Sequence, residues 1–167
     1  MSSRAIDPDL DADQRLGCLS QNILTELWPG FAAQDLEIWM NPVYLRRHLA
    51  GRKVDYLERV AFFNQQAETL VESFGNIVAI VRYDRVPIGQ AGLTAFAELG
   101  RDVHGARGFM AIGLRILPAR ASGKRNHVTT IMQVSEAKMR RVLERSPHVI
   151  LTGRHGCVDS TRDEAET

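Results

Sequence analysis

The sequence predicts an α+β domain: N-terminal helices followed by a mainly antiparallel sheet, with a further helix between the late strands. Three observations carry this. Apolar residues recur at helical spacing over the first 75 residues. Apolar and β-branched stretches then follow, NIVAIVRY, FMAIGLRIL and HVTTIMQV. A serine-led segment, SEAKMRRVLE, separates the last of these from a short closing run, HVILTG.

Each element has its own reason. Leu16, Leu19, Ile23 and Leu27 recur at helical spacing, and Pro29-Gly30 stops that helix. LEIWM, residues 36–40, reads as a short buried strand. Asn41 is then a good N-cap and Pro42 fits the first helical position. The helix that they open, VYLRRHLA, ends at Gly51. A longer helix follows on Val54, Leu57, Val60, Ala61, Asn64, Ala67 and Val71, and ends near Gly75. NIVAIVRY, residues 76–83, is a strand. LTAFAELGRDVH, residues 93–104, has Leu93, Phe96 and Val103 at helical spacing and is expected to be a helix, weakened by Gly100. Residues 109–117 and 127–134 form a strand pair. Ser135 caps a helix with Met139, Val142 and Leu143 on one face, Pro147 ends it, and HVILTG closes the sheet.

The chain has 167 residues, enough for one domain with a real core. Residues 1–13 are polar and contain proline, and read as a flexible arm. Residues 154–167 are poor in apolar side chains and read as a disordered acidic tail, which leaves a single domain over 14–153. The formal charge is +1, so no global field draws the molecule onto nucleic acid or membrane. Any anion site is a local patch. Arg46, Arg47, Arg52 and Lys53 form one, and Lys124 and Arg125 with Lys138, Arg140 and Arg141 form another. Such patches read either as solvated faces or as anion-binding surface. No apolar run reaches the roughly 20 residues that cross a bilayer, so no membrane partner is expected and the cytoplasm, or a virion, is the expected location. Cys18 and Cys157 stand alone and the histidines match no zinc spacing, so neither metal nor cofactor is expected. There is no GxxxxGK[ST], GxGxxG or HExxH.

The strand pair carries the chemistry. Alternation puts Met110, Ile112, Leu114 and Ile116 on one face, and Phe109, Ala111, Gly113, Arg115 and Leu117 on the other. In the second strand the core row is expected to be Val128, Thr130, Met132 and Val134, with His127, Thr129, Ile131 and Gln133 opposite. A symmetric loop over 118–126 would set Arg115 against Thr129 and Leu117 against His127. Arg115, Thr129 and His127 would then share a face, with Lys124 and Arg125 above them. Arginine offers a planar fork for phosphate oxygens. Histidine moves protons near neutrality. Threonine donates to a nonbridging oxygen. These are parts of metal-free RNA cleavage; they are also ordinary residues of a half-solvated sheet face. His48 lies four residues after Tyr44 on one helical face, with Arg47 and Arg52 close in sequence. Neighbouring cations disfavour its charging and suit a general base; a helix-end histidine is the alternative.

A short strand leading into NPVYLRRH, a second helix, a sheet strand and a hairpin ending in HVTT before a Ser-capped helix together resemble the phage-borne members of the barnase–EndoU–colicin–RelE nuclease superfamily. The resemblance spans about residues 36–150. It implies functional residues at His48, Arg115 and Thr129 or Thr130; joined to the residue reading above, the expected catalytic set is His48, Arg115, His127 and Thr129, with Arg47, Lys124, Arg125 and Thr130 binding substrate. The hairpin position that is often Lys in that group is Arg115 here. Arginine is no practical proton donor or base, so a histidine does the proton work. The function implied is a metal-independent ribonuclease-like toxin, effector or phage domain acting on RNA. The other reading is a non-catalytic phage structural, connector or protein–protein assembly module.

Overall fold

Strands dominate the described residues. A computed structural model describes residues 13–42, 44–45, 70–101, 103–121, 123–151 and 158–160. In chain order the elements are β1 (Gln14–Leu19), α1 (Gln21–Leu27), β2 (Glu37–Met40), α2 (Leu70–Phe74), β3 (Ile77–Tyr83), β4 (Ala91–Arg101), β5 (Arg107–Ile116), β6 (His127–Ser135), α3 (Glu136–Arg145), β7 (His148–Ile150) and β8 (Val158–Ser160). The strands form one sheet, ordered β7-β3-β4-β5-β6-β2-β1-β8. Every pairing is antiparallel except β2 with β6, which is parallel.

Each face of the sheet carries an apolar cluster. On one face Leu16, Ile38, Met40, Leu93, Ile112, Leu114, Val128 and Ile131 pack against Ile23, Leu24 and Leu27 of α1 and Phe74 of α2. On the other face Ala79, Val81, Phe96, Phe109, Ala111 and Val134 pack under Met139, Val142 and Leu143 of α3. Ser135 caps α3 as expected, its hydroxyl accepting from the Lys138 amide at 3.1 Å. Only one half of this second face lies under α3. The other half holds Arg115 and His127.

The mixed α/β class stands, but among the described residues helices are few, strands predominate, and helices do not come first. Residues 14–19, expected to be helical, are β1, and the helix starts only after Ser20, which accepts from the Asn22 amide at 3.0 Å. The spacing misled for a physical reason. A register shift between Arg15 and Gly17 places a bulge at Leu16. Leu16 and Leu19 then reach the same core three residues apart, as they would on a helix.

The helix expected over 93–104 is instead the 11-residue strand β4. Leu93, Ala95 and Ala97 face one core and Phe96 the other. A strand buried on both faces loses its polar alternation, so LTAFA reads as a continuous apolar run. Pro42, Tyr44 and Leu45 are helical, and Asn41 Oδ1 accepts from the Tyr44 amide at 3.0 Å, the expected N-cap. The helices expected over 43–50 and 54–75 otherwise lie outside the described residues, except for α2. At the ends, Asp13 is tied down by Asn41 and Arg125. Val158–Ser160, expected in the tail, pair with β1. No helix among the described residues is long and apolar enough to cross a membrane.

Candidate functional site

The β5–β6 hairpin brings together four of the expected site residues, in a register that differs from the expected one. Arg115 stands opposite His127, not Thr129. Gly113 stands opposite Thr130, and the register then shifts so that Leu114 meets Val128. Thr129 is the extra residue of this bulge. Thr129 and Thr130 therefore both lie over Gly113: a Cβ placed there would come within 2.7 Å of Thr129 Oγ1 and 3.0 Å of Thr130 Cγ2. The bulge also reverses the expected alternation beyond it. Ile131 joins the α1 core, whereas Met132 and Val134 pack on the α3 side. Arg115, His127, Thr129 and Thr130 share one face.

Asn126 explains why the loop does not close symmetrically. It is fully buried. Its Oδ1 accepts from the Leu117 amide at 2.8 Å, which occupies the pairing position that His127 was expected to take. Its Nδ2 donates to the Asp35 carbonyl at 2.8 Å and the Glu37 carbonyl at 3.0 Å. Its own carbonyl accepts from the Trp39 amide at 3.0 Å. One side chain thus sets the hairpin register and clamps β2 alongside β6, so that Trp39 pairs with His127.

His127 sits half-buried within this frame. Its Nδ1 lies 2.8 Å from the Arg125 carbonyl. A carbonyl only accepts, so Nδ1 carries the proton and Nε2 of the neutral ring keeps its lone pair. The Tyr44 ring meets the imidazole edge-on, centroids 5.6 Å apart and planes at 86°. Burial lowers the pKa of His127 below the ordinary 6.5. Arg115 and Lys124 push the same way, while the Arg125 carbonyl and Asp13 oppose. The neutral form, with a free Nε2, is favoured.

Arg115 has an unusual shortage of partners. Its Nη1 donates to Gln90 Oε1 at 3.3 Å, but its Nε is buried with no hydrogen-bond partner. No carboxylate among the described residues pairs with it. Thr130 Oγ1 is also buried and unpartnered. Buried polar groups are seldom left so, because each orphan costs about 1–3 kcal/mol. A guanidinium with no counter-charge among the described residues, on the same sheet face as an orphan hydroxyl, has the donor chemistry of an anion site.

The remaining expected residues divide. Lys124 lies near enough to disfavour a charged His127, and its carbonyl accepts from Gln34 Nε2 at 2.8 Å. Arg125 does not hang over Arg115. Its guanidinium lies 3.7 Å from the Trp39 ring centroid and its Nη1 pairs with Asp13 at 3.0 Å. His48 and Arg47 lie outside the described residues.

No protein-family model, curated protein or solved structure matches the chain. Sequence reasoning missed Asn126, Gln90, Asp13 and Trp39 as parts of the site. Asn126 carried one usable signal: an amide side chain beside a predicted strand start is suited to end a loop. Gln90 and Asp13 are distant in sequence and carried none.

Proposed function

We propose that this chain is a metal-independent ribonuclease-like domain that acts on RNA phosphodiesters at the Arg115–His127 pair. The observation that carries the reading is an imidazole biased to its neutral form, with its lone pair on Nε2, directly across from an arginine that no carboxylate among the described residues neutralises. In this reading His127 Nε2 removes the proton of a ribose 2′-hydroxyl. The 2′-oxygen attacks the adjacent phosphorus, and the bond to the 5′-oxygen breaks. Arg115 donates to the nonbridging oxygens as charge builds on them, with the Thr129 hydroxyl beside it. The departing 5′-oxygen takes its proton from solvent water. The products are a 2′,3′-cyclic phosphate and a 5′-hydroxyl. The superfamily resemblance agrees with these residue types, and a cytoplasmic site of action would supply the substrate.

The test is incubation of the purified full chain with mixed RNA in excess chelator, with analysis of the new ends. Cyclic phosphate termini support the reading. No cleavage over a broad pH range removes it and leaves the phage structural or assembly module as the better reading.

A further inference from the structure

The ladder pairs place six residues in one row across the sheet. Tyr83 pairs with Gly92, Gly92 with Arg115, Arg115 with His127, His127 with Trp39, and Trp39 with Arg15. Paired residues share a face, so the row Tyr83–Gly92–Arg115–His127–Trp39–Arg15 runs perpendicular to the strands on one side. At the ordinary strand spacing Tyr83 and Arg115 are about 10 Å apart. Gly92 lies between them, and its missing side chain matters. A Cβ there would fall 2.5 Å from Val86 Cγ1, 2.6 Å from the Tyr83 carbonyl and 3.2 Å from Tyr83 Cδ2. The Tyr83 ring leans over Gly92. From the other side, Trp28 Nε1 donates to the Gly92 carbonyl at 2.8 Å and holds the strand there. Tyr83 is nevertheless 43% exposed. Tyr44, 41% exposed, flanks the other side of the Arg115–His127 pair through its contact with His127.

Aromatic rings on both sides of an unneutralised arginine match the needs of a single nucleic-acid strand. A phosphate sits on the cation, and an unstacked base lies on a ring face. A duplex keeps its bases paired and has none to offer. Arg15, at the end of the row, and Arg125, stacked over Trp39, are already engaged by Glu37 and Asp13, so within the row the arginine without a carboxylate partner among the described residues is Arg115. We infer that Tyr83 over Gly92 is a base-stacking subsite adjoining the Arg115 phosphate site, which selects single-stranded over double-stranded RNA. This rests on the phosphodiester reading above.

The experiment measures binding of the full chain by fluorescence anisotropy to three labelled probes. They are a mixed-sequence 2′-O-methyl strand, its duplex, and the same backbone with abasic residues throughout. The 2′-O-methyl group leaves no proton for the base to remove, so the probe survives. Wild type is expected to bind the single strand more tightly than the duplex. Tyr83→Ala should weaken single-strand binding about 5- to 150-fold, the range for losing one base–aromatic stack. Tyr83→Leu, which keeps apolar bulk over Gly92 and guards against misfolding, should weaken it similarly, and Tyr83→Phe should bind as wild type. Binding of the abasic strand should ignore Tyr83 and be lost in Arg115→Ala. If Tyr83→Ala and Tyr83→Leu bind the single strand as wild type while Arg115→Ala fails, the base subsite is wrong and the phosphate site stands. If Arg115→Ala also binds as wild type, both readings fall.

Discussion

Arg115 and His127 face each other directly across the β5–β6 ladder, on the half of the sheet that α3 leaves uncovered. Their proximity is not incidental to either group. The guanidinium helps to keep the imidazole neutral, and the imidazole offers no charge to neutralise the guanidinium. In the proposed reaction these are the states required: a proton acceptor, and a cation with no carboxylate partner among the described residues.

His127 should therefore titrate below the ordinary histidine value of about 6.5. Ring nitrogen shifts measured by NMR against pH should show this, with Nδ1 as the protonated nitrogen of the neutral form. The folded pKa is lowered, so the contribution of His127 to stability is present above the unfolded value and is lost as pH falls through the folded one. His127→Asn keeps a donor for the Arg125 carbonyl but cannot titrate, and should lose less stability on acidification than wild type. Titration at or above the ordinary value would contradict the description of the site.

Thr130→Val separates stability from binding. The variant keeps the shape and removes a buried hydroxyl that has no partner. Urea denaturation should find it as stable as wild type or more stable by about 1 kcal/mol. RNA binding should weaken if that hydroxyl serves a phosphate. Loss of stability by more than about 1 kcal/mol would show that the hydroxyl already has a partner in the folded protein.

Asn126→Ala should cost roughly 2–4 kcal/mol, since it leaves the Leu117 amide and two carbonyls without their buried partner. Asn126→Asp should be no better, because a carboxylate cannot donate to the Asp35 and Glu37 carbonyls. Chemical denaturation measures both. A change below about 1 kcal/mol would mean that the hairpin register does not depend on this side chain.

The bulges explain how much of this was legible beforehand. The strands at 36–40, 76–83, 109–117 and 127–134, the α3 cap and the apolar row Met110, Ile112, Leu114 and Ile116 follow from alternation and capping chemistry, and the structure has them. Where a bulge intervenes, same-face neighbours stand three residues apart instead of two. Leu16 and Leu19 imitate a helix for that reason, and Val128 and Ile131 share a core that simple alternation denies them. The grouping of Arg115, His127 and Thr129 on one face was anticipated from the wrong register. It survives because the actual pairing is offset from the expected one by two residues, which leaves His127 and Thr129 on the face of Arg115; the bulge then adds Thr130 to that face. The contacts of Asp13, Gln90 and Trp39 are long-range, and no local pattern encodes them.

Arg115 should show a graded loss. Arg115→Lys keeps the charge but loses the planar fork, and Arg115→Ala loses both. Cleavage rates should fall in that order. Equal rates for Lys and Arg would assign to Arg115 a role of charge alone.

The most direct measurement is a double-mutant cycle on RNA cleavage by the full chain, with His127→Ala, Arg115→Ala and the pair. His127→Ala should slow cleavage about 10²–10⁴-fold, the range for a lost proton-transfer group. The double variant should be little slower than the slower single one, because residues that act as a unit are strongly non-additive. Losses that simply multiply, or a wild-type rate in either single variant, would contradict a shared phosphodiester at Arg115 and His127.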